Sequence, residues 1–255
     1  MAHIAFIGTG GSVATEGRDN ASFLIDAGSL ILVDCPGSVV QKIKRLGRKP
    51  ENVDVLLVSH IHPDHIYGLP SLVHSLMAED RELDIYGSEE STAFCAKLLD
   101  LFGLLKAKIK YRIRFHPLRP KEEFRVPDVL IRAQDVPHNS SSLSYRFVFS
   151  DGKELLYSGD TPFHPPLFAG IIGIDYLVHD CSAPQRFFIQ HPELQRMHTS
   201  ALDLGHQASK AGVHTLIPIH IFGEFPFTDA EIWAEIREYY RGDLIIPQDF
   251  EIIPL

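Results

Sequence analysis

Short apolar runs separated by turn residues set the rhythm of this chain from its first positions. Residues 4–7, 22–26 and 30–34 read as strands, and Gly8-Thr9-Gly10-Gly11 ends the first of them in a tight turn. After Pro36-Gly37 the run Ser38-Val39-Val40-Gln41-Lys42-Ile43 predicts a helix up to Leu46-Gly47. Residues 53–59 are apolar enough for a buried strand. A helix is predicted over 69–78 and a strand over 83–86, and Ser88 caps a helix through Leu101. Further strands are predicted at 108–115, 129–136, 143–149, 154–158, 174–179 and 214–220, with Asp151-Gly152 as a hairpin turn. Helices follow from Thr199 or Ser200 to Ala211-Gly212 and over 228–240. No linker, repeat or low-complexity tract interrupts this order, so one α/β domain over 1–255 is expected.

Composition adds bounds. Hydrophobic residues make up 45% and charged residues 22%, the balance of a soluble globular protein. No apolar run approaches the roughly 20 residues that span a bilayer, and the start Met1-Ala2-His3-Ile4 lacks the basic character of a signal peptide. Cys35, Cys95 and Cys181 stand far apart, which fits a reduced, cytoplasmic setting. A net charge of -9 works against non-specific nucleic-acid binding but leaves room for a local basic patch. One such patch is Lys106, Lys108, Lys110, Arg112 and Arg114, alternating with apolar residues. A charged strand edge that blocks aggregation is the first reading, and a phosphate-guiding face the second.

The candidate chemistry begins where the strand at 53–59 runs into Ser59-His60-Ile61-His62-Pro63-Asp64-His65, which places four potential metal ligands within six positions. His60 and His62 share one side of an extended chain. Asp64 and His65 follow a proline and open a helix or tight turn, which aims them elsewhere. His138, Asp160, Asp180 and His220 also follow apolar strands, and His198 precedes a helix cap. Polar residues repeated at strand ends are how open sheets build a site along one edge. His60, His62 and His138 can hold one divalent ion, Asp64, His65 and His220 a second, and Asp160 can bridge both. A water shared by two such ions is acidified to hydroxide near neutral pH. His179 points away from Asp180 and reads as a core or surface histidine.

These elements resemble the metallo-β-lactamase fold superfamily, whose signature is His-x-His-x-Asp-His. Within it the chain looks like the ribonuclease Z-like branch. The matching pieces are Phe6-Ile7-Gly8-Thr9-Gly10-Gly11, Leu32-Val33-Asp34-Cys35-Pro36-Gly37, residues 59–65, Tyr157-Ser158-Gly159-Asp160-Thr161, His179-Asp180-Cys181-Ser182, His198-Thr199-Ser200-Ala201 and Ile217-Pro218-Ile219-His220. The resemblance implies a four-layer αββα sandwich of two mixed sheets, the ligand set above, two divalent metal ions (zinc, or manganese or iron) and a homodimer. It also implies that Asp34 braces the metal site, that His198 assists the leaving oxygen and that Asp180 orients His198.

Two departures narrow the substrate. Ribonuclease Z carries a long tRNA-binding arm between the ligands matching His138 and Asp160, and here that interval is only 22 positions. Cyclic-phosphate phosphodiesterases of phosphonate breakdown share the short interval but carry a cysteine-rich zinc site that this chain lacks. The expected activity is therefore a dinuclear metal-dependent phosphodiesterase that acts on RNA ends or small, including cyclic, nucleotide phosphodiesters through a metal-bridging hydroxide. Asp64, His198 and Asp180 are its expected catalytic residues. Ester, thioester or lactone hydrolysis is the alternative on the same site. A metal- or RNA-binding protein without turnover is a third reading. The aromatics of Ile221-Phe222-Gly223-Glu224-Phe225-Pro226-Phe227 either stack on a base or pack the last helix.

Overall fold

Residues 2–106 and 110–255 are described by a computed structural model, and their strands form two seven-stranded sheets. In chain order the elements are β1 (His3–Gly8), β2 (Ser22–Asp26), β3 (Leu30–Val33), α1 (Val39–Arg45), β4 (Val53–Leu57), α2 (Pro63–Ile66), α3 (Leu69–Ser75), β5 (Glu82–Ser88), α4 (Glu89–Leu101) and β6 (Arg112–Leu118). There follow β7 (Glu123–Val126), β8 (Val129–Asp135), β9 (Leu143–Phe149), β10 (Glu154–Tyr157), α5 (Pro165–Ala169), β11 (Tyr176–Asp180), α6 (Gln185–Gln190), α7 (Ala201–Ala211), β12 (Thr215–Ile219), α8 (Asp229–Tyr239), β13 (Asp243–Leu244) and β14 (Ile252–Pro254).

The first sheet runs β14-β1-β2-β3-β4-β5-β6 and the second β13-β12-β11-β10-β9-β8-β7. Neighbours from β3 to β6 and from β10 to β13 pair in parallel, and the remaining pairs are antiparallel. Parallel strands need cover on both faces, and their apolar runs provide it. Phe6, Phe23, Ile31 and Leu57 pack between the sheets against Ile131, Tyr145, Phe147 and Tyr157. On the outer faces, Leu32, Leu56 and Ile85 meet Val39, Ile43, Leu72 and Leu99 from α1, α3 and α4. Leu156, Leu177 and Leu216 meet Phe168, Leu204, Ile232 and Ile236 from α5, α7 and α8. This is the αββα sandwich of the metallo-β-lactamase fold. The parallel strands all end at one edge, so β4, β10, β11 and β12 deliver the loops at 58–62, 158–161, 181–183 and 220–222 to the same place.

Several elements differ from the pattern read in the sequence. β7, α5, α6, β13 and β14 are additional, and each has six residues or fewer. The strand expected at 108–115 instead begins at Arg112 and continues through Pro117 to Leu118. β6 is an edge strand, where proline costs no partner. The alternating basic strand is thereby corrected. Lys106 and Lys110 lie outside β6, Lys108 lies outside the described residues, and Arg112 and Arg114 pair with Glu82 and Asp84 of β5 at 2.7–2.9 Å. Cations neutralised along a sheet edge fit the protective reading rather than a phosphate-guiding face. Among the described residues no helix is long and apolar enough to cross a membrane.

Candidate metal centre

The cluster at 59–65 is shaped by a strand end and a proline. The chain leaves β4 extended, so His60 and His62 project to one side. His62 sits just before Pro63, the first residue of α2, where the fixed proline φ and absent N–H suit a helix start. Asp64 and His65 occupy that single turn and are buried. Gly159 precedes Asp160 at φ 62, and a Cβ there would lie 2.9 Å from the Leu143 carbonyl oxygen. His220 follows β12 at φ 61, a conformation rare for residues other than glycine. Two bonds hold it there: Ile221 N–H to Thr9 O at 3.1 Å and Gly11 N–H to Ile221 O at 3.0 Å. Gly11 has no side chain for a steric reason, because a Cβ would fall 2.4 Å from the Phe222 ring. The Gly8–Gly11 turn therefore shapes the centre rather than cradling a phosphate.

All seven expected ligands converge. His60, His62, His138 and Asp160 each offer a ligand atom within 4.8 Å of the others, as do Asp64, His65, Asp160 and His220. Asp160 belongs to both groups. Its Oδ2 lies 3.7 Å from His60 Nε2, 3.4 Å from His65 Nε2, 3.9 Å from His138 Nε2 and 3.2 Å from His220 Nε2.

The far sides of the rings explain why these nitrogens point inward. His65 Nδ1–H donates to Asp34 Oδ2 at 2.8 Å. His60 Nδ1–H donates to Ser59 Oγ at 3.0 Å, and that hydroxyl donates to Asp34 Oδ2 at 2.8 Å. Tyr157 O–H also donates to Asp34 Oδ2, at 2.9 Å from across the sandwich, and Ser59 N–H donates to Oδ1 at 2.7 Å. His138 Nδ1–H donates to the Met197 carbonyl at 2.8 Å. Each bond commits Nδ1–H outward and leaves Nε2 to face the centre. The Nε2 atoms of His60, His65 and His220 are then buried without a hydrogen-bond partner. Buried polar atoms left unpaired are costly. Three aimed at one pair of carboxylates form the donor set of a cation site, and imidazole nitrogen with carboxylate oxygen suits zinc, manganese or iron.

Electrostatics supports the same reading. Burial opposes charge on Asp160, yet His220 and His65 outweigh it and hold the carboxyl well below its usual range. Asp64 is lowered in the same way, burial being outweighed by His65 and His220. Burial, with His65 next, holds His60 well below the ordinary imidazole value. Burial also disfavours charge on His220, but Asp160, Asp64 and Asp180 override it and raise the group to about 9. An unfolded histidine titrates near about 6.5. In the ion-free protein this proton therefore adds stability that is full below about 6.5 and lost as pH rises through about 9. A cation must displace it. Metal uptake is thus expected to release protons at pH 7 and to tighten as pH rises towards 9. Calorimetric titration in buffers of different ionisation enthalpy reads this directly, and uptake without proton release contradicts it.

Asp180 and His198 come together as the resemblance implies. His198 Nδ1–H donates to Asp180 Oδ2 at 2.9 Å, and the His198 ring stacks on His220 at 5.0 Å between centroids. Asp180, His198 and His220 also fall within ligand distance of one another. Asp180 is fully engaged by protein donors, however, and holds a ring rather than an ion. His179 is a core residue packed on Phe168, with Nδ1–H donating to the Asp180 carbonyl at 2.8 Å. Phe222 is buried edge-on to His198 and His220 and continues to Phe225, so it packs the centre. Phe225 stays partly exposed. Sequence reading missed Ser59, Tyr157 and Ser182 as parts of the site. Ser59 heads the histidine run, and Tyr157 and Ser182 lie inside matched motifs, but nothing in the spacing gave any of them a partner.

A family profile described as Anti-Pycsar protein Apyc1 matches residues 2–209. Ribonuclease Z of Methanosarcina mazei is 24% identical over 98% of this chain and 96% of its own length. The metallo-β-lactamase fold protein YhfI of Bacillus subtilis superposes with a TM-score of 0.82 at 19% identity, covering 99% of this chain and 98% of that one. The short form of human tRNase Z superposes at 0.80 with 16% identity, over 99% and 98% of the two chains. The metallo-β-lactamase fold and the ribonuclease Z-like character read from the motifs are both borne out.

Proposed function

The chain belongs to the family of the Anti-Pycsar protein Apyc1, and on that premise we propose that it is a dinuclear metal-dependent phosphodiesterase. The observation that carries this reading is the set of orphaned, buried Nε2 atoms facing a carboxylate shared by two ligand groups. His60, His62 and His138 would hold one divalent cation, Asp64, His65 and His220 the other, and Asp160 both. Two such ions, zinc in our reading and manganese or iron on the same donor chemistry, supply Lewis acidity to phosphoryl oxygens and make a water acidic.

The chain's own groups do the rest. Asp34, Ser59 and Tyr157 fix the ligand rings so that little reorganises during reaction. Asp64, held ionised, is assigned to orienting the attacking water. His198, turned by Asp180, gives a proton to the leaving oxygen from its free Nε2. That pair favours phosphorus chemistry with a poor leaving group over ester, thioester or lactone hydrolysis. It would also be superfluous in a protein that only binds metal or RNA.

Small nucleotide phosphodiesters, cyclic ones included, are favoured over RNA ends. The interval from His138 to Asp160 is consumed by a turn, β9 and β10, with no room for a tRNA-binding arm. Exposed apolar side chains neighbour residues of the centre in sequence: Tyr67 after His65, Phe163 after Asp160 and Met197 before His198. They suit a base better than a polyanion. The test is a screen of the metal-loaded protein against bis-p-nitrophenyl phosphate, a 2′,3′-cyclic nucleotide, precursor tRNA and a thioester. Turnover of the first two is expected, and turnover of the thioester alone would reverse the reading.

One domain over 1–255 in a cytoplasmic setting completes the proposal, supported by the single interior between the sheets and three free, buried cysteines. A homodimer is supported by α4 and the turn after it. Phe94, Leu98, Leu101, Phe102 and Leu105 recur at helical spacing, and all but the half-buried Leu98 are exposed. Glu89 and Glu90 begin this helix while Lys97 and Lys106 lie towards its far end, so an antiparallel pair would match opposite charges. Leu101→Glu with Phe102→Glu is expected to give a monomer in sedimentation, and an unchanged mass would remove this surface from the account.

A further inference from the structure

Asp180 is gripped on both oxygens. Oδ2 accepts from His198 Nδ1–H at 2.9 Å and from Thr161 N–H at 3.1 Å. Oδ1 accepts from Ser182 Oγ–H at 2.7 Å. The Ser182 oxygen lies 3.3 Å from His220 Nδ1, and the opposite nitrogen of that ring is one of the orphans aimed at Asp160. Ser182 is wholly buried. Its N–H donates to Thr199 O at 3.2 Å, beside His198, and its carbonyl accepts from Phe222 N–H at 2.9 Å, beside His220.

We propose that Ser182 is a positioning residue that joins the leaving-group acid His198 to the ion-holding ring of His220 through Asp180. The inference rests on the phosphodiesterase reading above. A hydroxyl has one proton. Drawn to Asp180 Oδ1, it leaves the oxygen lone pairs to His220 Nδ1–H, which turns His220 Nε2 towards the ion site. The same bond fixes the rotation of the carboxylate, so Oδ2 stays on His198. Without the hydroxyl, Oδ1 is a buried acceptor lacking its donor, and the carboxylate is free to turn. In the reaction served, the water oxygen bonds to phosphorus and the bond to the leaving oxygen breaks with its electron pair. That oxygen takes the proton from His198 Nε2, and a proton released by the water restores the imidazolium.

The prediction is selective for the leaving group. p-Nitrophenolate departs without a proton, whereas a ribose hydroxyl needs one. At saturating zinc, Ser182→Ala should lower kcat on a 2′,3′-cyclic nucleotide about tenfold, part of the roughly 10²–10⁴-fold a general acid supplies. On bis-p-nitrophenyl phosphate the loss should be several-fold smaller, because only the part that passes through the His220 ring is felt there. Ser182→Thr should restore the loss. In a His198→Ala background Ser182→Ala should cost nothing further on the cyclic nucleotide. Ser182→Cys, similar in size and a weak donor, carries the same test if the alanine variant fails to fold. Equal losses on both substrates, or additive losses with His198→Ala, overturn the proposal alone. An unmutated protein that cleaves neither substrate removes the phosphodiesterase reading and this proposal with it.

Discussion

Asp160→Ala is expected to abolish turnover and to remove at least one of two bound ions. Asp160 is the one side chain in both ligand groups, with four imidazole nitrogens within 3.9 Å of a single oxygen. Deleting it leaves His65 and His220 with less negative charge to hold a cation against, and it leaves His60 and His138 without their carboxylate. A loss of about 10³-fold or more in kcat is expected, because removing one preorganised electrostatic group already costs about 10²–10³-fold. Stability should fall in the ion-free state as well. The buried His65 and His220 lose the anion that favours their charge, so the ion-free melting temperature should lie below that of the parent. The parent should gain more on adding zinc, roughly 4 kcal/mol if zinc stands at about 1,000 times its dissociation constant. Metal analysis and calorimetry on the same samples check both halves. An alanine variant with two ions and full activity would refute the assignment.

His198→Ala should be nearly as damaging, but only where the leaving group needs help. Its Nδ1 is committed to Asp180, its ring lies against His220 and Phe222, and Nε2 remains for proton transfer. On a 2′,3′-cyclic nucleotide kcat should fall about 10²–10⁴-fold, the span attributed to general acid catalysis. On bis-p-nitrophenyl phosphate the loss should be roughly tenfold or less, since the acid's share of that barrier is small. Bound metal should stay at two ions, because His198 is not among the seven proposed ligands. KM should change little. Equal losses on both substrates would move His198 from proton donor to general scaffold.

The candidate centre was legible because its proposed ligands sit where strands end, and strand ends are marked by apolar runs that stop at polar residues. His60, His62, Asp64, His65, His138, Asp160 and His220 could each be found that way, as could the Asp180–His198 pair once motif order was added. The groups that orient them were harder. Tyr157 reaches Asp34 across 123 positions of sequence, and Ser182 meets His220 across 38. Such contacts depend on which sheets face each other, which periodicity does not state. The elements that went unread are short or lack signals. β13 and β14 have two and three residues, and α6 begins at Gln185 behind Pro184, with no side-chain cap. The basic run misled because alternation at 106–115 resembles a strand, while the pairing partners on β5 place the strand further on, at Arg112–Leu118.

Two ions held by the ligand groups that share Asp160 would make this fold a phosphodiesterase. The direct measurement is a zinc titration of chelator-treated protein, following bound metal and bis-p-nitrophenyl phosphate turnover together. Turnover that rises with the second equivalent and levels off at two ions per chain is the predicted result. Full turnover at one ion, or two ions bound with no phosphodiester cleaved, would contradict it.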